Sequence, residues 1–448
     1  MNIQGKTAAE IVDCVRALVQ AGQAVAGDAL PPVRELALAL GVNRNTVAAA
    51  YRRLVTTGIA LAEGRRGTLI RDRFAAGEQE GATAGTPLLD LASGNPNPRW
   101  LPDLAASLKA GAGRPRMYGE PTVNAALERH IRGWLTPDCP AGFEIDLTHG
   151  AVDALERLLA MDLLAGDQVA VEDPCFLSSI QLLRNARLQA VGVRVDAEGM
   201  VAAELEAALA RGAQAVIITP RAHNPTGCSL SARRARSLAR VLARYPNVLV
   251  VVDDHFSLLS GAAYHSVIPR AARRWALVRS LSKTLGPDIR LAAVASDAAT
   301  SRQLRRRLAP GTAWVSHLLQ DIAEAALASP ANLALFAQAR DDYLRRRSHL
   351  EAALRAHGVD HVASGDGLNL WIPLQAGDDV VAQSLARQGW LVRHGDGFAV
   401  QGEARGLRIT ISTIDAAQCE QLARDIALQL RPGPATRDGA GKQCAPAV

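Results

Sequence analysis

The sequence predicts a multidomain chain: a small N-terminal α+β unit built on a helix-turn-helix, a linker, and a large α/β domain with a mainly parallel sheet. Three observations carry this. The 448 residues exceed one ordinary domain. Residues 1–73 hold ten Lys and Arg against six Asp and Glu, so four of the six net positive charges sit in the first sixth of the chain. From residue 88 onward, short apolar runs alternate with helical patterns, the signature of a sheet with helices on both faces.

Composition sets the outer bounds. Hydrophobic residues make up 48% of the chain, ample for a core. No apolar run reaches the roughly 18 residues of a membrane span and no signal-peptide core is present, so a cytoplasmic protein with no membrane partner is expected. Cys14, Cys139, Cys175, Cys228, Cys419 and Cys444 are scattered, with no pair at metal-ligand spacing, and no metal is expected. The basic N-terminal excess points to a module that meets a polyanion.

Residues 6–22 read as an amphipathic helix, with Ile11, Val15, Leu18 and Val19 at helical spacing. Pro31-Pro32 breaks the chain, a short helix follows over 33–40, and Gly41 supplies the tight turn. Asn43 is a good cap for the next helix, which Gly58 closes. Val47, Ala50, Leu54 and part of Tyr51 form its apolar face. Polar groups at the start of a second helix suit base edges in the major groove, and the later arginines suit phosphates. Residues 59–70 read as a hairpin whose tip carries Arg65 and Arg66, the layout of a wing laid along a minor groove. The expected DNA contacts are therefore Arg34, Arg44, Asn45, Thr46, Tyr51, Arg52 and Arg53, with Arg65 and Arg66 on the wing.

Between Phe74 and Pro87 the chain is Gly, Ala, Glu, Gln and Thr, with almost nothing to bury, and 74–87 reads as a flexible linker. Strands are expected at 168–172, 189–193, 213–219, 248–253, 276–278 and 292–295, with helices such as 151–163, 203–210 and 231–244 between them. Ligands of such sheets lie beyond the carboxyl ends of the strands, where the chemically suggestive residues fall.

The turn at Gly150-Ala151-Val152 feeds a helix N-terminus, which offers free N–H groups to a phosphate. Phe176 follows the next strand and suits an aromatic ring face. Asn224, between turn residues, offers one fixed amide to a phenolic oxygen. An apolar strand ends in Asp253-Asp254-His255. A buried carboxylate there would keep a pyridine nitrogen protonated; Asp253 is the choice and Asp254 the alternative, because strand alternation turns only one inward. Lys283 lies between two apolar runs. A buried ammonium is costly, and a covalent imine removes the charge. Ser280, Ser282 and Arg290 around it suit a phosphate. Residues 302–307 carry four arginines and 345–347 three more, read as solvated helix faces or as a second surface for DNA. The tail, 431–448, is rich in Pro, Gly and Ala and reads as disordered.

Two resemblances sharpen this reading. Leu-Pro-Pro-Val-Arg-Glu-Leu-Ala, Val-Asn-Arg-Asn-Thr-Val, Tyr-Arg-Arg-Leu and Gly-Arg-Arg-Gly-Thr look like the GntR-type winged helix, over residues 5–71. The series ending at Lys283 resembles the fold-type I aminotransferases over most of 88–430, with a small C-terminal α/β subdomain at about 310–430. That likeness implies pyridoxal 5′-phosphate joined to Lys283 as a Schiff base, Asp253 on its pyridine nitrogen, and Asn224 and His255 at its phenolic oxygen. It implies a phosphate held by Gly150, Ala151, Val152, Ser280, Ser282 and Arg290. It also implies Arg408 for a substrate α-carboxylate with Gly94 beside it, and Tyr118 reaching the phosphate of the other subunit of a homodimer. The family's usual tyrosine near the phenolic oxygen is replaced by His255, so binding is expected to survive better than transamination.

The order of winged helix, linker and aminotransferase-like domain resembles the MocR transcriptional regulators. Gly-Lys-Thr-Ala near the start and Val-Asn-Arg-Asn-Thr-Val-Ala-Ala-Ala-Tyr are similar to their PtsJ-type branch. The resemblance implies a regulator that binds double-stranded operator DNA and senses pyridoxal phosphate, a related B6 vitamer or an amino-acid adduct. It implies control of vitamin B6 salvage through a pyridoxal kinase gene. The alternative is an aminotransferase acting on an amino acid and a 2-oxo acid.

Overall fold

Thr7 starts the first helix, α1 (Ala8–Gln20), its hydroxyl accepting from the Glu10 amide at 3.2 Å. The structure, a computed structural model, describes residues 1–57, 59–62, 67–70, 80–81, 83, 85–111, 115–362 and 365–430. Helix α2 (Val33–Leu40) stops at Gly41, whose φ of 61° a side chain would resist, and the Val42 amide turns back to Ala37 O at 3.0 Å. Asn43 caps α3 (Arg44–Thr56), its Oδ1 accepting from the Asn45 amide at 2.8 Å. An antiparallel pair, β1 (Ala60–Ala62) and β2 (Thr68–Ile70), completes the winged unit. Ile11, Val15, Val47, Ala50, Leu54, Ile59 and Ile70 bury together as its core.

Arg34, Arg44, Asn45, Arg52 and Arg53 are exposed and Thr46 is half-buried. Tyr51 departs from the expectation. It is 6% exposed and its hydroxyl donates to Pro31 O at 2.6 Å, so it ties α3 to the turn before α2. The cause is helical spacing, which puts position 51 on the face of 47, 50 and 54. Gly58, Arg65 and Arg66 lie outside the described residues, as do 71–79 and the tail 431–448.

The large domain holds eight strands in one sheet. In chain order, after β3 (Leu89–Asp90), they are β4 (Glu144–Thr148), β5 (Gln168–Asp173), β6 (Gln189–Asp196), β7 (Gly199–Met200), β8 (Ala215–Ile218), β9 (Leu249–Asp253), β10 (Trp275–Ser280) and β11 (Ala292–Ser296). Their spatial order is β4-β11-β10-β9-β8-β5-β6-β7. Only β7 and β11 run against the rest. The six expected strands are all present. Alternation sends successive residues to opposite cores: Val250, Val252 and Leu277 to one, Leu249, Val251, Ala276 and Val278 to the other.

The smaller subdomain pairs β12 (Asn369–Pro373), β14 (Arg393–His394) and β15 (Gly406–Thr410) in an antiparallel sheet. Helices Pro330–Ala356, Asp378–Arg387 and Ala416–Leu430 accompany it. Strand β13 (Trp390–Leu391) pairs in parallel with β3, so residues 89–90 reach this end of the chain. The arginine run at 302–307 is exposed, whereas the run at 345–347 is partly internal. Arg305 pairs with Asp146 at 2.6 Å, and Arg347, 3% exposed, donates to Asp366 O at 2.9 Å. No helix among the described residues is long and apolar enough to cross a membrane.

Candidate functional site

Register brings the chemistry to one sheet edge. Val278 of β10 pairs with Asp253, Ser280 pairs with Ala292, and Ala292 pairs with Thr148 of β4. Arg290 precedes β11, which runs against its neighbours β10 and β4, and therefore arrives at their carboxyl ends. A cavity of ≈ 280 Å³ opens there, lined by Lys283, Asp253, His255, Phe176, Asn224 and Gly94, among others.

The Lys283 ammonium donates to Gly94 O at 2.6 Å. Burial lowers its pKa to about 8; the charge of Glu80 opposes that shift and the charge of Arg408 adds to it. Asp253 is 6% exposed and its Oδ1 has no partner among the described residues. Burial and then the charge of Asp254 raise its carboxyl to about 7. Asp254 turns the other way, accepting from Arg221 at 2.8 Å on both oxygens and from Arg279 at 2.8 Å. Burial, then the Lys283 charge, lowers His255 to about 4, so the ring is neutral at pH 7.

At the other end of the cavity, the helix Ala151–Leu159 begins at Gly150, whose φ is 92°. The Arg290 guanidinium packs against this glycine: an added Cβ would lie 3.0 Å from Nη2. The same guanidinium donates to His149 O at 3.1 Å. Ser280 Oγ and Ser282 Oγ lie 2.8 Å apart, and Ala151 and Val152 line the wall. Two hydroxyls, a guanidinium and a helix N-terminus together could seat a phosphate-sized anion. Phe176, half-buried, lines the cavity at the start of the helix Leu177–Asn185.

Arg408 on β15 is fully buried, its guanidinium 5.2 Å from the Phe398 ring centre. It donates to Ala92 O, to Asn224 Oδ1 at 3.1 Å and to the carboxylate of Glu80. Asn224 Nδ2 donates to the same Glu80 oxygen at 3.0 Å. Tyr118 stands apart from the cavity, 91% exposed and edge-on to Trp314 at 5.6 Å between ring centres.

Two carboxylates escaped the sequence reading. Glu80 sits in a Gly-Glu-Gln-Glu-Gly stretch with the composition of a linker, and carries no local signal of burial. Glu172, at the end of β5, was visible only as part of a strand terminus. It accepts from the Thr219 amide at 2.8 Å and hydroxyl at 2.9 Å, and burial raises its carboxyl to about 8. His223 beside it, 2.8 Å from Thr226 Oγ1, is lowered to about 3 by burial.

Residues 86–426 match the family described as aminotransferase class I and II, and residues 7–70 match bacterial regulatory proteins, gntR family. The chain is 52% identical, over 95% of its length and 98% of the relative's, to the vitamin B6 salvage pathway transcriptional repressor PtsJ of Salmonella typhimurium. It is 26% identical to the HTH-type transcriptional regulator TauR of Rhodobacter capsulatus, over 90% and 92% of the two chains. Among solved structures, it resembles the kynurenine aminotransferase of Pyrococcus horikoshii with a TM-score of 0.69 at 21% identity, covering 78% of this chain and 93% of that one. The α-aminoadipate aminotransferase LysN of Thermus thermophilus gives 0.67 at 22%, covering 77% and 92%.

Proposed function

The chain belongs to the aminotransferase class I and II family and carries a gntR-family regulatory domain ahead of it, and we propose that it is a DNA-binding transcriptional regulator whose large domain senses pyridoxal 5′-phosphate. The observation that carries this reading is the grouping of Lys283 with an unpartnered buried carboxylate and an anion seat in one cavity.

The residues fit that cofactor. Asp253 Oδ1 has no partner among the described residues, and Asp253 lines the cavity, which suits a protonated pyridine nitrogen. The seat at Gly150 is one that a Cβ would fill, and Ser280, Ser282 and Arg290 supply donors for a phosphate. Pyridoxal phosphate, when bound, supplies a carbonyl for an amine and an electron-withdrawing ring. Lys283, its pKa lowered to about 8, offers the amine for a Schiff base. Neutral His255 can share a hydrogen with a phenolic oxygen, and Phe176 can cover a ring face.

The 52% identical relative is a repressor of vitamin B6 salvage, and the same role is assigned to this chain, with a pyridoxal kinase gene as the expected target. The protein acts on operator DNA as a cytoplasmic homodimer, and the exposure of Tyr118 suits a ring that meets a partner subunit. Cofactor binding alters DNA affinity to the extent that it favours one arrangement of the two domains over another.

The test is a titration of the purified protein with DNA upstream of its own gene and of a pyridoxal kinase gene, at fixed salt, with and without pyridoxal phosphate. Lys283→Ala is the control. A cofactor-dependent change in affinity that Lys283→Ala removes supports the reading. Equal affinity of the loaded and cofactor-free forms sinks the sensing role, and absence of specific binding sinks the regulator.

A further inference from the structure

We propose that Glu80 occupies the seat of a ligand carboxylate on Arg408 and thereby restricts this site to phosphorylated B6 vitamers that carry no carboxylate. The inference rests on the reading above that Lys283 and its neighbours hold pyridoxal phosphate.

Arg408 is the fully buried cation of this site, and a guanidinium out of water needs an anion beside it. The chain supplies one itself. Arg408 Nη1 donates to Glu80 Oε1, and the Asn224 amide donates to the same oxygen at 3.0 Å. Asn224 Oδ1 in turn accepts from Arg408 at 3.1 Å, so the three side chains close a ring of charge-assisted bonds. Burial works against ionisation of Glu80, but the charge and hydrogen bonds of Arg408, with help from Asn224 and Lys283, hold its carboxyl below the usual range.

The surroundings are shaped to admit it. A Cβ on Gly94 would lie 2.5 Å from Glu80 Oε2, and Gly94 also has a φ of 66° that few side chains adopt. The Gly81 amide donates to Ser93 O at 3.0 Å, which fixes the segment to the rim of the cavity. An amino acid joined to the cofactor would bring a second carboxylate toward the same guanidinium. Two like charges in one buried seat repel, so the newcomer must displace Glu80 or stay out. A vitamer without a carboxylate meets no such conflict.

Two unreactive probes separate the cases: pyridoxamine 5′-phosphate, and N-(5′-phosphopyridoxyl)-L-alanine, which adds only the amino-acid portion. Their affinities for the cofactor-free, full-length protein are measured by calorimetry, alongside Glu80→Gln and Glu80→Ala. The unsubstituted protein is expected to bind the alanine adduct no more tightly than pyridoxamine phosphate. Either substitution is expected to tighten the adduct at least tenfold while moving pyridoxamine phosphate by less than about threefold. A tenfold preference for the adduct in the unsubstituted protein overturns the proposal, as does an adduct affinity unmoved by both substitutions. Failure of the unsubstituted protein to bind pyridoxamine phosphate overturns the cofactor reading itself, and is distinguishable from those results.

Discussion

Asp253 and Asp254 are chain neighbours that face opposite ways: Asp253 lines the cavity, its Oδ1 without a partner among the described residues, while Asp254 receives three hydrogen bonds at 2.8 Å from Arg221 and Arg279. One carboxylate is committed to holding β9 against its surroundings, and the other faces the cavity. The division follows from the pleat, since adjacent strand residues cannot share a face.

The carboxyl of Asp253 should make stability depend on pH. Asp253 is raised to about 7 in the folded, cofactor-free protein against an ordinary 3.8. The folded state therefore holds a proton that the unfolded chain releases, and stability contributed by this group falls as pH rises from about 4 to about 7. In Asp253→Asn that contribution is absent. Urea unfolding of both cofactor-free proteins between pH 5 and pH 8 should show the unsubstituted protein losing about 1–3 kcal/mol relative to the variant, mostly below pH 7. Parallel pH dependences would show that Asp253 is ionised throughout.

The choice of Asp253 over Asp254 was legible from strand alternation, but what holds Asp254 was not. A sequence shows that one of two adjacent residues turns inward; it does not show where Arg221 and Arg279 stand. Lys283, Arg290 and the Gly150 turn were readable because each sits in a short local pattern at a strand end. Glu80 was not, because its burial depends on Arg408, 328 residues away, and on the missing side chain at Gly94. Strand β3 escaped for a related reason: two residues carry no periodicity, and only its pairing with β13 defines it.

The charge of Glu80 also bears on Lys283. It holds the lysine pKa up against burial, while Arg408 pushes it down. Glu80→Gln removes the opposing influence, so the amine should lose its proton at lower pH. The rate at which cofactor-free protein captures pyridoxal phosphate, followed by absorbance against pH, should have a midpoint near 8 in the unsubstituted protein and a lower one in Glu80→Gln. An unchanged or higher midpoint would show that Glu80 does not act on Lys283.

Covalent retention should depend on Lys283 and not on the anion seat alone. Lys283→Ala keeps Ser280, Ser282, Arg290 and the helix N-terminus, so it should still bind pyridoxal phosphate, weakened by roughly ten- to a hundredfold. It should release the ligand fully on dialysis and lack the absorbance of a protein-bound imine. Arg290→Ala should weaken pyridoxal phosphate more than pyridoxal, since it removes a phosphate donor. Equal losses for the two would place Arg290 outside the phosphate seat.

The position of Tyr51 separates packing from DNA recognition within α3. Its hydroxyl donates to Pro31 O at 2.6 Å and its ring lies in the core with Val47 and Leu54, whereas Arg52, one residue on, is exposed. Tyr51→Phe removes one hydrogen bond and should cost about 1 kcal/mol of stability in the winged unit, read as a lowered thermal midpoint. Its specific DNA affinity, measured where the variant is fully folded, should change by less than about twofold. Arg52→Ala should do the reverse: the midpoint should hold, while affinity falls and the slope of log affinity against log salt shrinks by about 0.9 for a lost phosphate contact. A loss of DNA affinity in Tyr51→Phe without loss of stability would return the hydroxyl to the DNA surface.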